Sequence, residues 1–289
     1  MIHSMTGYAA GACDLGLAVL NLELKSVNSR YLDLSFRIGE DLRMAEMALR
    51  ERITARMARG KVECRAYLQS SPTKGGRDPA PNAEIIAVLA RLDLAVRKAL
   101  PGAAPLSVAE VLRWPGVLAE DQITPEKLQT ECLTLMDRLL DEFIASRARE
   151  GAKLADVLRA RAATMRTLVD QVRPLLPQAL TGYQERLAIK LRETVASLDE
   201  ERIRQEIGVL AVRIDVDEEL ARLTTHLDEL ERILKKGGAV GKRLDFLMQE
   251  LNREANTLAS KSVSGDVTAI ALELKLLIEQ MREQVQNLE

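Results

Sequence analysis

The sequence predicts an α+β protein that is mostly helical. A small N-terminal β-β-β-α-β unit leads into a long helical arm and a C-terminal helical domain. Three observations carry this expectation. Residues 17–39 alternate apolar and polar side chains at period two, as half-buried strands do. From residue 82 onward almost every segment spaces its apolar residues as a helix does. Between them, SSPTKGGRDPAP (70–81) has the Ser, Pro and Gly content of a linker. The implied divisions are 1–78, 82–200 and 201–289.

The elements follow in order. MTGYAAG is a first strand, ending at Gly11. LAVLNLELKSV (17–27) and YLDLSFRIG (31–39) are the second and third. DLRMAEMALRERITARMARG (41–60) is a helix, with Asp41 as N-cap and Gly60 just past its end. KVECRAYLQS (61–70) returns to strand. Residues 82–100 form a helix ended by Pro101-Gly102, and SVAEVLRW (107–114) forms a short one ended by Pro115-Gly116. Thr124-Pro125 reads as an N-cap followed by a first-turn proline. A helix of about fifty residues follows, broken at Pro174 and Pro177. Further helices are expected at 178–199, up to 213, at 216–236 and at 242–260. The final segment spaces Val267, Ile270, Leu274, Leu277, Met281, Val285 and Leu288 close to a heptad seam. That seam packs either within the chain or between subunits.

Composition excludes several classes. The 289 residues are 47% apolar, enough for a sizeable core. One Trp, three Phe and four Tyr argue against a base-stacking platform. A net charge of −2 points globally to neither nucleic acid nor membrane. Cys13, Cys64 and Cys132 are odd in number and scattered, as reduced thiols in a cytoplasmic protein would be. The N-terminus does not read as a signal peptide, and no apolar run reaches the 18 or so residues of a membrane span.

Chemistry concentrates near the C-terminus. VDEELARLTTHLDELERIL (216–234) carries Glu219, Arg222, His226 and Glu229 along one stripe beside its apolar seam. RLDFLMQELNREANTLASKS (243–262) sets Glu250 and Glu254 at the edge of a seam of Leu244, Leu247, Leu251, Ala255 and Leu258. Asp245, Asn252 and Asn256 collect on its far side. If the two seams pack, these carboxylates meet, and oxygen ligands with one imidazole suit Mg²⁺ or Mn²⁺. The bland alternative is a ladder of exposed pairs, Glu219–Arg222 and His226–Glu229. The loop KKGGAVGKR adds Lys235, Lys236, Lys242 and Arg243, suited to a phosphate-bearing substrate. A second basic concentration lies between residues 20 and 77, with twelve Lys/Arg against seven Asp/Glu. Arg50, Arg52, Arg56, Arg59, Lys61 and Arg65 cluster there. His3, with no acidic neighbour, reads as a strand residue without a catalytic role.

SMTGYA, LKSVNSRYLDLSFR, RERITARMARGKVE, VLRWPGV, RIDVDEELARLTTHL and GKRLDFLMQELNREANTLASKS resemble the YicC/YloC family of bacterial proteins, over nearly the whole chain. The resemblance implies a cytoplasmic, helix-rich endoribonuclease. It also implies divalent-metal dependence and a homohexamer that closes around RNA, with no membrane association. His226, Glu229, Asp245, Glu250, Arg253, Glu254 and Asn256 stand at matching positions. The expected site therefore has Glu250 and Glu254 holding Mn²⁺ or Mg²⁺, with Asp245 or Glu229 as further ligands. In it His226 transfers a proton and Arg253 binds the scissile phosphate. The catalytic set expected is His226, Glu229, Arg253 and Asp245. The RNA contacts expected are Arg50, Arg56, Arg59, Lys61, Lys242 and Arg243. The rival is a non-catalytic RNA-binding adaptor or assembly protein, with the acids in salt bridges to Arg243, Arg253 and Lys261.

Overall fold

The computed structural model describes residues 1–70, 81–118, 123–194, 201, 205, 207–209 and 214–289. Most of the expected linker 70–81, and the expected helical stretches between 195 and 213 except for a few isolated residues, lie outside the described residues. The chain divides into two compact units. A sheet unit comprises Tyr8–Lys25 and Leu32–Glu142, and a helical unit comprises Met1–Gly7, Ser26–Tyr31 and Phe143–Glu289.

The sheet unit is built on strands β1 (Gly7–Asp14), β2 (Ala18–Val27), β3 (Leu32–Ile38) and β4 (Gly60–Ser70), in the order β1-β2-β4-β3. This confirms the β-β-β-α-β order. β3 runs parallel to β4, with Leu32 opposite Gly60 and Ile38 opposite Ala66. Parallel neighbours need a crossover, here a 3₁₀ turn (Glu40–Ala45) followed by helix α1 (Glu46–Arg56). Asp41 is therefore not the cap of α1, as the sequence suggested. The tighter three-residue period brings Leu42 and Ala45 to one side, both buried. Period-two alternation buries Leu20, Leu22 and Leu24 on β2 and Val62, Cys64 and Ala66 on β4. Burial raises the Cys64 thiol to about 12 and the Cys132 thiol to about 11, so neither is a nucleophile.

Helix α2 (Ala83–Ala99) starts where Asn82 accepts the N–H groups of Glu84 and Ile85. Helix α3 (Val108–Arg113) has a full capping box between Ser107 and Glu110. Helix α4 runs from Pro125 to Thr194 without the expected break at Pro174 and Pro177. A proline in a helix leaves one carbonyl, four residues back, without its donor. Here those carbonyls belong to Asp170 and Arg173, which are exposed, so water can replace the lost bonds. The apolar stripe continues past them, with Val172 buried and Leu175 and Leu176 packed against the core.

The helical unit packs α4 with helices α5 (Asp217–Lys236), α6 (Gly241–Lys261) and α7 (Gly265–Val285) around one core. The expected seams of α5 and α6 are buried throughout. So is the C-terminal heptad seam: Val267, Leu274, Met281, Val285 and Leu288 are buried, with Ile270 and Leu277 packed beside them. The seam is thus core of the chain itself and is not free to form a subunit interface. The termini are fastened together. Met5 donates to the carbonyl of Asn287, and Glu289 to that of His3. The buried Arg147 donates to the Ser4 carbonyl at 2.6 Å and pairs with Glu289. His3 accordingly lies against the chain ends, outside β1.

Gly151 is required by this fastening. A Cβ there would lie 2.4 Å from the carbonyl oxygen of Ile2. Gly151→Ala is expected to lower stability by about 1–3 kcal/mol, visible as an earlier thermal melt.

Candidate functional site

Helices α5 and α6 are antiparallel, joined by a turn in which Gly237 and Gly238 have φ of 67° and 91°. Three cross-helix pairs fix their register. Lys261 Nζ lies 2.9 Å from Glu219 Oε1. Arg222 lies 3.5 Å from Glu254 Oε1. Arg243 lies 2.6 Å from Glu229 Oε1. On α5 the positions used are 219, 222 and 229, and on α6 they are 261, 254 and 243.

One rung of this ladder is open. His226 lies four residues after Arg222 and three before Glu229, while Glu250 lies four before Glu254 and seven after Arg243. All are steps of one or two helical turns, so both belong to the same stripe. The pairs on either side therefore bring His226 and Glu250 to the same level of the helix pair. Both are half-buried. Neither side chain has a hydrogen-bond or ion-pair partner among the described residues, in contrast to the rungs around them.

The closed rungs have different characters. Glu254 is 3% exposed and Glu219 is 5% exposed. A carboxylate so placed requires a cation, and each has one. The second oxygen of Glu219 is buried without a hydrogen-bond partner among the described residues. Glu229 accepts from Arg232 at 2.6 and 2.8 Å as well as from Arg243. The bonds from Arg232, reinforced by Arg243, hold its carboxyl below the usual carboxylate range. A carboxylate held ionised in this way is a poor proton donor near neutral pH.

The pairs expected along α5, Glu219–Arg222 and His226–Glu229, do not form. Arg222 turns instead to Glu218 and Glu254, and Glu219 to Lys261. Packed facing helices offer partners that keep buried acids neutralised, which a pair on one helix does not. Acids bridged to Arg243 and Lys261 are what the adaptor reading expected, whereas Arg222 as the partner of Glu254 is a pairing sequence reasoning did not assign.

Arg253 is exposed on α6 with no side-chain partner among the described residues. Lys242 is exposed at the start of the same helix. Asp245 faces a different way: it accepts from Gln249 at 3.0 Å and lies 3.9 Å from Arg282 of α7. In the sheet unit, Arg50 pairs with Glu46 and lies 4.7 Å from the Phe36 ring centre. Arg56 pairs with Asp141, and Arg52 with Asp137 at 2.7 Å. Lys61 is exposed and Arg59 half-buried. Much of the charge in that cluster is thus balanced locally.

Among the described residues, no three His, Cys, Asp or Glu side chains converge as a metal site. Glu254 is turned to Arg222 and Glu229 to two arginines. The donors of one chain therefore do not fit a resident Mn²⁺ or Mg²⁺ centre, and no step is assigned to one. Among the described residues, no helix is long and apolar enough to cross a membrane.

Residues 2–156 match the family described as "Endoribonuclease YicC-like, N-terminal region", and residues 172–289 the one described as "Endoribonuclease YicC-like, C-terminal". A protein of Haemophilus influenzae named "Probable endoribonuclease YicC" is 44% identical over 291 residues, covering 100% of both chains. One of Clostridioides difficile with the same name is 26% identical over 296 residues, again covering 100% of both.

Proposed function

The chain belongs to the YicC-like endoribonuclease family, and we propose that it cuts RNA internally at the open rung between α5 and α6. The observation that supports this reading most is the contrast within one ladder. Every neighbouring acid is neutralised, while His226 and Glu250 face each other's level unpaired. An imidazole is the side chain suited to proton transfer near neutral pH. In the proposed reaction His226 and Glu250 divide the proton transfers at a phosphodiester, one activating the attacking hydroxyl or water and the other serving the leaving oxygen. Arg253 and Lys242 supply cationic charge to the phosphate. Glu229 acts on Arg243, holding it beside the site, and so positions rather than titrates. Asp245, turned to Arg282, has no step assigned.

RNA is the proposed substrate, and the cytoplasm the proposed location. Arg50, Arg56, Arg59 and Lys61 are proposed as additional phosphate contacts. A resident Mn²⁺ or Mg²⁺ is not part of this proposal; a cation that arrives with the RNA phosphates remains compatible with it, and chelation tests that. The purified protein is expected to cut a single-stranded oligoribonucleotide at internal bonds. Loss of cleavage in EDTA and its return with Mn²⁺ would establish the metal, and unchanged cleavage in EDTA would remove it. RNA binding without cutting under any cation would replace the enzyme reading by the adaptor reading.

A homohexamer closing around RNA is likewise proposed. On one face of α2 and its C-cap, Val88, Leu92, Val96 and Leu100 recur every four residues and are 43%, 52%, 50% and 61% exposed. That is more adjacent apolar surface than one helix of a monomer usually leaves to water, and a second copy would cover it. Light scattering is expected to give a multiple of 32.0 kDa, and Leu92→Asp with Leu100→Asp to lower it. A wild-type mass of one chain would exclude the assembly.

A further inference from the structure

The helical unit contains a cavity of about 590 Å³ where α4 meets the start of α5, the end of α6 and the start of α7. Its size falls in the range of about 300–1,000 Å³ that small-molecule sites occupy. It is distinct in lining from the open rung: none of His226, Glu250 or Arg253 reaches it.

The lining has two chemical ends. Leu176, Leu180, Val216 and Val263 give it an apolar wall. Arg173, Lys261 and Ser264 gather polar donors. Arg173 is exposed and has no side-chain partner among the described residues. Lys261 spends its ammonium on the Asp215 carbonyl and on Glu219, both at 2.9 Å, and keeps a third donor. α7 opens at the same place. Ser264 makes no side-chain cap bond there. The first backbone bond back into the turn is that of Thr268 to the Ser264 carbonyl. The N–H groups of Gly265, Asp266 and Val267 thus have no partner among the described residues, and Val267 lines the cavity. The free guanidinium of Arg173, the spare donor of Lys261 and the start of α7 at Ser264 and Val267, all in the lining, offer the chemistry that holds a phosphate.

Two carboxylates also line the cavity, and they argue against a bare anion. Asp215 is engaged by its own chain, accepting the N–H of Asp217 at 3.0 Å. Asp217 is left to accept from the ligand. Apolar wall, phosphate donors and a hydroxyl acceptor together describe a nucleotide: base, phosphate and ribose.

The geometry points to a site for a single phosphate-bearing nucleotide in this cavity, separate from the place of cleavage. The inference rests on the RNA reading above for one of its two sources, a phosphorylated RNA end. The other source, a free nucleoside monophosphate, shares the same chemistry.

Calorimetric titration of the full chain separates these. The probes are AMP and three oligoribonucleotides of one sequence, bearing a 5′-phosphate, a 3′-phosphate or neither. AMP is expected to bind with Kd below about 1 mM. Arg173→Gln is expected to weaken it at least about tenfold without moving the melting temperature. Leu180→Trp, which fills the cavity, should abolish AMP binding without moving the melting temperature. A phosphorylated oligonucleotide that binds tighter than its unphosphorylated twin, with the gain lost in Arg173→Gln, identifies an RNA end as the ligand. AMP binding without such a gain identifies the free nucleotide. Either supports the site. No AMP binding, together with equal affinity for all three oligonucleotides, overturns it. These readouts do not use cleavage. A protein that cuts RNA but neither binds AMP nor prefers a phosphorylated end sinks this inference alone, and one that binds AMP but never cuts RNA sinks the enzyme reading alone.

Discussion

Glu250→Gln is expected to melt with the wild-type protein and to cut RNA at least about a hundredfold more slowly, the lower range for loss of a general acid–base group. The substitution keeps size and hydrogen-bonding capacity and removes only the charge. No cation pairs with Glu250 among the described residues, so none is stranded by the change. Glu254→Gln, one turn along, should behave in the opposite way. Glu254 is 3% exposed and meets Arg222 at 3.5 Å. Removing its charge leaves Arg222 with Glu218 alone and should lower the melting temperature, with activity lost in proportion to fold. Two glutamates that look alike in the sequence are thus assigned different work. Thermal melts and single-turnover cleavage on the same two proteins check this.

Lys261→Met is expected to be among the most destabilising substitutions in the helical unit. Glu219 is 5% exposed, and one of its oxygens is already buried without a hydrogen-bond partner among the described residues. Lys261 is its cation, at 2.9 Å. Loss of one member of a buried pair costs about 3–5 kcal/mol, and the 31% exposure of the Lys261 side chain brings that down. A loss of about 2–3 kcal/mol is expected. Adding Glu219→Leu should recover most of it, since two apolar side chains at a packed crossing need no neutralisation. Urea midpoints for the two single variants and the double variant decide. If Lys261→Met leaves the midpoint in place, the rung does not contribute to folding.

Much of the fold was legible because it follows from period alone. Leu20, Leu22 and Leu24 announce a half-buried strand, and Leu220, Leu223, Leu227 and Leu230 announce a buried helix face. Asn82, Ser107 and Thr124 stand where helices start because each offers an oxygen to free N–H groups. Pro174 and Pro177 misled because a proline's local penalty says nothing of what the rest of the helix buries. The heptad from Val267 to Leu288 was ambiguous for a related reason: a seam encodes that it is covered and not by what.

The site was legible as a set of residues but not as pairs. Glu219 and Arg222 are neighbours on one helix, and sequence spacing joined them. What decides the partners is the opposing helix. A signal was present in the numbering. Arg222 and Glu254 each stand 16 residues from Gly238 in the connecting turn, and His226 and Glu250 each stand 12 from it. Residues equidistant from a tight turn face one another in an antiparallel pair. Such counting would have closed the Arg222–Glu254 rung and left His226 opposite Glu250.

In the proposed reaction His226 and Glu250 act as one unit on RNA. Single-turnover cleavage of one oligoribonucleotide by wild type, His226→Gln, Glu250→Gln and the double variant tests it most directly. Groups that serve the same step are not additive. The expected result is that each single variant is slowed by at least about a hundredfold, and that the double variant is no slower than the slower single. Effects that multiply in the double variant, or a His226→Gln protein that cuts at the wild-type rate, would show that the two side chains do not share a step.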